Sequence, residues 1–439
     1  MRLARANCFR IVLAVVFALL LDRSTRAAEP DQKLDDILGT LVVEATPPAK
    51  LGKRLIHVAL EPSLSPSEVD VLAHAIVERD LVLSGEVRLL AESSAPTSAY
   101  KSEALPDLDR WRKTGVEALI RIESNPSHDS EFRLSASVYL LADESQPVLR
   151  RTVTGTRTNR RLAAHRLSDA VIGILTGYDG GFASRMSYVL TVGRKRRAFL
   201  VDADGHGARR ASDGHDLVSA TAFRATELVY AASVHHGTYR LYQVGRQNPI
   251  PVVPNGSIYG AAFSQDGARA ALAIATERTV AIFSGPSQPM RLTRVSTTDM
   301  ALSPAFSPTG KLAYVGINGN VHRIFVDGRA VSPTGLMASA PAFCAHPNGT
   351  RLVYTVRSGQ RFDLVMSDDN GRNLRRLTGG SGSNTYPACS PDGRLVAFFS
   401  TRTSHEGPGL YIMPIDGGRP QRISSFVGSS LVWTRSAGK

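Results

Sequence analysis

The chain has 439 residues, a formal net charge of +13 and a hydrophobic share of 43%. This length allows two domains, and the hydrophobic share is ordinary for a globular protein rather than a disordered one. Beyond the first 27 residues, no segment is apolar for long enough to cross a membrane.

The first 27 residues have the pattern of a secretory signal. Three arginines precede an apolar run at residues 11–21, and Thr25 and Ala27 fit the small-residue rule for cleavage. The run is too short to span a bilayer, which needs about 20 residues. We expect cleavage after Ala27 and export to the periplasm; the alternative is a retained membrane anchor. Cleavage removes five arginines and one aspartate, so the net charge falls from +13 to +9.

Residues 28–40 are polar, which predicts a flexible N-terminal segment. Over residues 41–178, strand patterns alternate with helix patterns, starting with strands at 41–45 and 54–60. Helices are predicted at residues 65–85, with Ser65 or Ser67 as the N-cap, and at 106–115 and 160–177. The alternation predicts an α/β N-terminal domain over residues 41–178.

The remainder of the chain, residues 179–439, repeats one pattern of apolar strand, polar turn and apolar strand. Clear copies are SPAFSPTGKLAYV at residues 303–315 and YPACSPDGRLVAFFS at 386–400. The repeats share an anchor position, with successive spacings of 40, 43, 37, 46 and 44 residues: Phe223, Phe263, Phe306, Phe343, Cys389 and Trp433. This period is typical of propeller blades and predicts an all-β six-bladed β-propeller.

The last repeat ends soon after Trp433 and lacks outer strands. The strands at residues 186–201 are the natural donors, so we expect the two ends of the propeller to pair in one blade. Such closure removes the sheet edges that would otherwise promote aggregation.

Two cysteines remain after cleavage of the signal, Cys344 and Cys389. Aligned on the repeat, they occupy neighbouring strand positions, which point to opposite faces, and they lie in different blades. We therefore expect two buried thiols rather than a disulfide.

Several polar patterns suggest a site but favour a structural role. The Asp-Gly turns at residues 202–205, 326–329, 368–371 and 415–418 suit hairpin turns better than a calcium site. No zinc motif is present among the scattered histidines, and a contact of His165 with Asp169 on one helix is expected. We predict no metal and no cofactor.

Catalysis is not expected either, since no Gly-x-Ser-x-Gly motif is present and no catalytic domain follows the propeller. Basic runs at residues 159–161, 194–197 and 209–210 could meet an acidic partner or an anionic envelope surface. The alternative is that they are solvated strand ends and a helix start. Nucleic acid is not expected as a partner outside the cytoplasm.

Three stretches resemble the TolB family, the periplasmic component of the Tol-Pal system. They are LVVEATPPAKLGKRLIHVAL (residues 41–60), WRKTGVEALIRI (111–122) and LTGYDGGFASRMSYVLTV (175–192). The combination of this N-terminal domain with a propeller makes the resemblance specific, and it covers nearly all of the mature chain.

The resemblance implies a monomeric, non-enzymatic periplasmic adaptor. It would bind the peptidoglycan-associated lipoprotein Pal at the propeller entrance and the inner-membrane protein TolA through its N-terminal segment. That role would maintain the outer membrane and its invagination at division. By resemblance, loops just before the inner strands form the Pal face: Ser257, Ile258, Tyr259, Gly260, Leu302, Ser303, Asn384, Thr385 and Tyr386.

Two other functions remain open. One is a six-bladed propeller enzyme of the lactonase or lyase type, which would need inward carboxylates and histidines from several blades. The other is a generic envelope scaffold that has lost its Tol function.

Overall fold

A computed structural model describes residues 54–62, 67–96, 105–126, 131–142, 146–212, 214–233, 237–277, 279–380, 382–403 and 406–434. The predicted signal, the polar segment at 28–40 and the predicted strand at 41–45 lie outside these residues. Among the described residues, no helix has the length and apolar character needed to cross a membrane.

The N-terminal part is a five-stranded mixed sheet with three helices. The strands are β1 (Ile56–Leu60), β2 (Val87–Leu89), β3 (Ala118–Pro126), β4 (Glu131–Leu140) and β5 (Leu149–Thr156). Their order is β2-β1-β3-β4-β5, with β1 parallel to both neighbours and the others antiparallel. The helices are α1 (Glu68–Ser84), α2 (Leu108–Arg112) and α3 (Arg160–Thr176).

Helix boundaries follow local chemistry. Ser67 caps α1, because its hydroxyl accepts from the Asp70 amide while the Asp70 carboxylate accepts from the Ser67 amide. Gly85 and Gly177 end α1 and α3 with φ of 65° and 80°, a left-handed conformation that glycine adopts without strain. The predicted helices are confirmed, with Ser67 rather than Ser65 as the cap.

The rest of the described chain forms a six-bladed propeller, which confirms the predicted fold class. Its strands, in chain order, begin with β6 (Arg185–Val192), β7 (Lys195–Asp202), β8 (Arg209–Arg210), β9 (Leu217–Arg224), β10 (Glu227–Ser233), β11 (Arg240–Gln243) and β12 (Val252–Val253). The middle strands are β13 (Ser257–Phe263), β14 (Arg269–Ala275), β15 (Val280–Pro286), β16 (Met290–Arg291), β17 (Thr293–Arg294), β18 (Met300–Phe306), β19 (Leu312–Asn318), β20 (Val321–Val326) and β21 (Arg329–Ala330). The last are β22 (Ser339–Cys344), β23 (Arg351–Ser358), β24 (Arg361–Asp368), β25 (Arg375–Arg376), β26 (Asn384–Cys389), β27 (Leu395–Ser400), β28 (Gly409–Pro414), β29 (Gln421–Ser424) and β30 (Ser429–Trp433).

Each blade is an antiparallel sheet that runs from an inner strand at the channel to a last strand at the outer edge. Four of them are β13-β14-β15-β17, β18-β19-β20-β21, β22-β23-β24-β25 and β26-β27-β28-β29. A fifth is β9-β10-β11, and the sixth combines β30 with β6, β7 and β8. Short parallel pairings, β7 with β9 and β12 with β16, link neighbouring blades.

The ring closes as predicted. The C-terminal strand β30 pairs antiparallel with β6, with Ser429 opposite Val189 and Trp433 opposite Met186. One blade is therefore assembled from both ends of the propeller, and its inner strand is the last in the chain.

The expectation of two separate thiols is wrong, because Cys344 and Cys389 form a disulfide with their Cα atoms 5.1 Å apart. Cys344 ends β22 and Cys389 ends β26, the inner strands of neighbouring blades. Neighbouring blades stack face to face. One blade therefore contributes a side chain from its front face and the next blade contributes one from its back face. Opposite faces counted against a disulfide in the sequence, but between stacked blades this arrangement is what allows the two cysteines to meet.

Replacing both cysteines, Cys344→Ser with Cys389→Ser, is expected to lower the free energy of unfolding by about 2–4 kcal/mol. The bond joins residues 45 apart in sequence, and its loss enlarges the unfolded ensemble. Denaturant unfolding of the oxidised mature protein and the double variant measures the difference. Thiol titration is the control: two titratable thiols in the folded, oxidised protein would contradict the bond.

The α/β part and the propeller share a packed junction. One apolar cluster includes Leu81 of α1, Leu167 of α3 and Ile412 of β28. Arg394 of the propeller donates to the Thr176 hydroxyl and to the carbonyl oxygens of Tyr178 and Asp179, at 3.0–3.2 Å. Apolar burial and directed hydrogen bonds thus hold the two parts together.

Candidate functional site

The inner strands of the propeller share a β-bulge near their middle. The register shifts between Ile258 and Gly260, Leu302 and Ala305, Ser339 and Ala342, Thr385 and Ala388, and Ser429 and Val432. At four of these bulges one residue has a positive φ of 47–54°: Ser303, Ala340, Tyr386 and Ser430. Bulges re-aim side chains, and non-glycine residues in this conformation are strained, which makes the channel wall a candidate functional surface.

The predicted partner-binding residues lie at these bulges and not in loops before the strands. Ser257, Ile258, Tyr259 and Gly260 belong to β13, Leu302 and Ser303 to β18, and Asn384, Thr385 and Tyr386 to β26. The expectation of loop positions is therefore wrong. The repeat predicts roughly where each inner strand lies along the chain. A bulge, however, allows the strand to begin several residues earlier than the alternation of side chains indicates.

Three of these residues have structural partners. Asn384 is fully buried, donates to the Asp363 carboxylate at 3.2 Å and accepts from Arg402 at 3.3 Å. Ile258 is buried in the core between two blades. The Ser257 hydroxyl accepts from the amide of Tyr239 at 3.0 Å. These side chains support the channel wall.

Five of the predicted residues do meet at one cavity of about 360 Å³ in the channel: Tyr259, Gly260, Leu302, Ser303 and Tyr386. Thr385 is not part of its lining. Tyr259 lies beside Tyr239, with ring centroids 5.5 Å apart. Burial raises the pKa of Tyr386, so its phenol stays protonated and can donate a hydrogen bond.

The sequence analysis missed Tyr239 and Arg196, which also line this cavity. Arg196 comes from the basic run at residues 194–197. Its neighbours Lys195 and Arg197 instead bind the Asp216 carboxylate at 2.7 and 2.8 Å. Of the four cations in the run, two are held by ion pairs, Arg196 faces the channel and Arg194 is exposed, a division that charge alone could not indicate.

The six anchor residues form a belt around the channel. Each lies at or next to the end of an inner strand, and all six line both the 360 Å³ cavity and a second one of about 820 Å³ at the turn end: Phe223, Phe263, Phe306, Phe343, Cys389 and Trp433. The guanidinium of Arg269 lies 5.2 Å from the centre of the Phe306 ring. An apolar belt therefore lies between the two cavities.

Among the described residues, one group has the residue types and spacing to share a metal ion: Asp80, His165 and Asp204, at the domain junction. His165 Nδ1 lies 2.7 Å from Asp80 Oδ2, and Nε2 lies 3.9 Å from Asp204 Oδ1. Because each ring nitrogen faces a different carboxylate, the imidazole stands between the two acids. This arrangement suits an imidazolium that bridges them better than a metal.

The electrostatics support the bridging cation. Burial lowers the pKa of His165, but the charge and hydrogen bond of Asp80 and the charge of Asp204 outweigh it and raise that pKa to about 9. For Asp204, burial acts in the direction of a higher pKa. Hydrogen bonds with His206 and the charges of His165 and Arg161 outweigh burial and hold the pKa of Asp204 well below its usual range. Both groups are charged at neutral pH.

The expected contact between His165 and Asp169 is absent. Asp169 instead accepts hydrogen bonds from the amides of Phe182 and Ala183, at 2.7 and 2.9 Å, at the start of the propeller. The turn at residues 202–205 is a turn as predicted, with φ of 87° at Gly205. Its Asp204 is nevertheless buried, and it accepts from Arg161 of α3 at 2.7 Å.

Two family models match the chain. Residues 51–146 match the TolB amino-terminal domain, and residues 289–435 match the TolB beta propeller domain. Together the two segments make up more than half of the chain. The chain belongs to the TolB family. The two models match the same parts of the chain that the structure folds as an α/β sheet and as propeller blades.

Curated relatives carry the name Tol-Pal system protein TolB. The TolB of Polaromonas naphthalenivorans (strain CJ2) is 29% identical over 161 residues, 37% of this chain and 37% of the relative. The TolB of Geobacter sulfurreducens is 28% identical over 145 residues, 32% of each chain. The matched segments thus span about a third of these TolB relatives.

The crystal structure of TolB from Acinetobacter baumannii has the same fold. It superposes with a TM-score of 0.71 at 20% identity, covering 87% of this chain and 97% of that chain. The TolB architecture is therefore shared over nearly the whole chain, including the part between the two matched segments.

Proposed function

We propose that the protein is a non-enzymatic periplasmic adaptor of a Tol-Pal system. It binds a Pal-type lipoprotein at the channel cavity of about 360 Å³. It binds a TolA-type inner-membrane protein through residues 28–40. In this role it maintains the outer membrane and its invagination at cell division. The proposal is supported chiefly by TolB membership combined with the cavity that Tyr239, Tyr259 and Tyr386 line, the last two at bulges of inner strands.

The chemistry of this cavity fits protein recognition. Tyrosine supplies a large apolar surface and a hydroxyl at little cost in side-chain entropy, and aromatic residues predominate among interface hot spots. Arg196 adds a cation at the same mouth. The bulges hold these side chains on a rigid ring, so a partner that docks here orders few groups on binding.

The rival function, a propeller enzyme, finds less support. A hydrolytic or lyase site needs carboxylates and histidines that converge from several blades. Within the described part of the chain, the lining of the two channel cavities contains one carboxylate, Asp266, and no histidine. Asp266 is moreover committed to its own turn, where it accepts from the amide of Ala268 at 3.0 Å.

Tyr259→Ala is expected to weaken binding of the cognate Pal domain by roughly 1–3 kcal/mol, the range for truncating a central interface aromatic. Tyr386→Ala should do the same, and Tyr386→Phe should retain most of the affinity if the ring, rather than the hydroxyl, makes the contact. Calorimetric titration of each purified variant against the Pal domain gives the affinities. Thermal melting shows whether the propeller stays folded.

Tyr178→Ala is the matched control, because this tyrosine is 53% exposed and lies outside the channel. Its affinity for Pal should equal that of the wild type. Unchanged affinity for both Tyr259→Ala and Tyr386→Ala would move the Pal site elsewhere. Deletion of residues 28–40 tests the second half of the proposal: binding to TolA should be lost while binding to Pal persists.

A further inference from the structure

A third cavity, of about 220 Å³, lies at the junction between α3 and the start of the propeller. Five arginines from separate segments line it, and Asp202 is the one acid in its described lining: Arg157, Arg160, Arg161, Arg185 and Arg209. Two of the basic runs in the sequence, at residues 159–161 and 209–210, thus meet in space although they are about fifty residues apart.

The N-terminus of α3 faces this cavity without the usual compensation. Asn159 is the N-cap residue but makes no side-chain cap; its side-chain Oδ1 accepts from the Thr156 amide instead. The first turn has no acidic residue and begins with Arg160 and Arg161. By contrast, α1 carries Glu68 and Asp70 in its first turn. Cations at the positive end of a helix dipole are unfavourable, and an anion there removes the conflict.

Some of the five charges are already neutralised. Arg161 donates to the carboxylates of Asp202 and Asp204 at 2.8 and 2.7 Å, and Arg160 pairs with Glu68. Arg157 and Arg209 are exposed, and neither makes an ion pair with any residue that the structure describes. Both residues line the cavity, Arg157 from the α/β part and Arg209 from β8.

His165 provides an independent observation. Its side chain is only 2% exposed and lines the same cavity, and its Nε2, which lies 3.9 Å from Asp204 Oδ1, accepts or donates no hydrogen bond among the described residues. A buried ring nitrogen without a partner is costly, and a ligand oxygen or a water that a ligand orders could satisfy it.

We propose that this cavity binds a phosphate group, either as inorganic phosphate or as a phosphomonoester, between Arg157 and Arg209 at the N-terminus of α3. Guanidinium forks match the geometry of phosphate oxygens, and backbone N–H groups at a helix start bind the same anions. A bound phosphate bridges the α/β part and the propeller, so it should stabilise their junction. This site is separate from the channel, and its test does not depend on Pal binding.

The test uses the full mature chain. Inorganic phosphate and glucose 6-phosphate are titrated calorimetrically, and thermal melting is recorded in phosphate and in chloride at equal ionic strength, which cancels general screening. The wild type should bind and melt higher in phosphate. Arg157→Gln with Arg209→Gln should reduce affinity at least tenfold and abolish the shift in melting temperature. Arg246→Gln, an exposed arginine at a turn in another blade, is the charge control for each of the single variants Arg157→Gln and Arg209→Gln and should behave as wild type.

Vesicles that contain phosphatidic acid distinguish a lipid source from a soluble one. If the double variant, but not Arg246→Gln, loses vesicle binding, and glucose 6-phosphate competes, the site accepts both sources. If only vesicles bind in this residue-dependent way, the phosphate comes from a lipid headgroup. The proposal is overturned if the wild type neither binds phosphate nor melts higher in it and its vesicle binding does not depend on these residues. Equal loss in the double variant and in Arg246→Gln also overturns it, because net charge would then explain the effect.

Discussion

Deletion of residues 430–439 is expected to unfold the whole propeller rather than fray one blade. The deletion removes most of β30, the inner strand of the blade that β6 and β7 complete. It exposes the ladder edge of β6 and the apolar faces of Met186 and Tyr188, both fully buried in the intact ring. Because every blade packs on two neighbours, an open ring leaves two blade faces in contact with water.

The prediction has a close control. Deletion of residues 435–439 leaves β30 intact and should not change the melting temperature. Circular dichroism and calorimetry of the three proteins measure the effect, and the longer truncation should show loss of the cooperative transition or a large drop in its midpoint. A transition that is unchanged in the longer truncation would contradict ring closure through β30.

The repeat made the propeller predictable. The six anchors recur because each blade needs one side chain at the same place along its inner strand, and the structure brings them into one belt around the channel. Helix ends were also predictable, since Ser67 and Gly85 act through bonds to residues close in sequence. Local chemistry and periodicity therefore predicted the elements and their arrangement in the ring.

Contacts between elements that are far apart in the chain were harder to predict from the sequence. The positive φ of Ser303 and Tyr386 occurs at β-bulges of the inner strands, and a repeat alignment does not show it. The Cys344–Cys389 bond depends on how two blades stack. The partner of His165 was misassigned because the predicted neighbour Asp169 is four residues away, whereas the actual partner Asp80 is 85 residues away on another helix. Only tertiary packing brings that pair together.

The junction cluster leads to the second large effect. His165→Gln is expected to lower the free energy of unfolding by about 3–5 kcal/mol, the cost of leaving a buried charge without its partner. The substitution removes the cation between Asp80 and Asp204, whose side chains are 0% and 1% exposed. Arg161 and Arg79 still neutralise Asp204, so the main loss falls on Asp80. Chemical denaturation at neutral pH measures this difference.

The pH dependence distinguishes this charge from simple packing. The pKa of His165 rises from 6.5 in the unfolded chain to about 9 in the folded protein, so the folded state binds the proton more tightly. Its contribution is therefore complete below pH 6.5 and declines as the pH rises through about 9. Burial also raises the pKa of Asp80, so this carboxyl can take up a proton when His165 is lost. The pH comparison therefore uses the double variant Asp80→Asn with His165→Gln, in which neither group titrates. Asp169, whose pKa burial raises to about 7, is present in both proteins.

The difference in unfolding free energy between the wild type and this double variant should therefore shrink steadily between pH 6.5 and about 9. His322→Gln is the control: this histidine lies on β20 of the propeller, and burial lowers its pKa, so its titration falls below this range. A difference that stays constant across the range would show that His165 acts as a neutral packing group. A difference that shrinks would establish the imidazolium between Asp80 and Asp204 as a charge that holds the α/β part to the propeller.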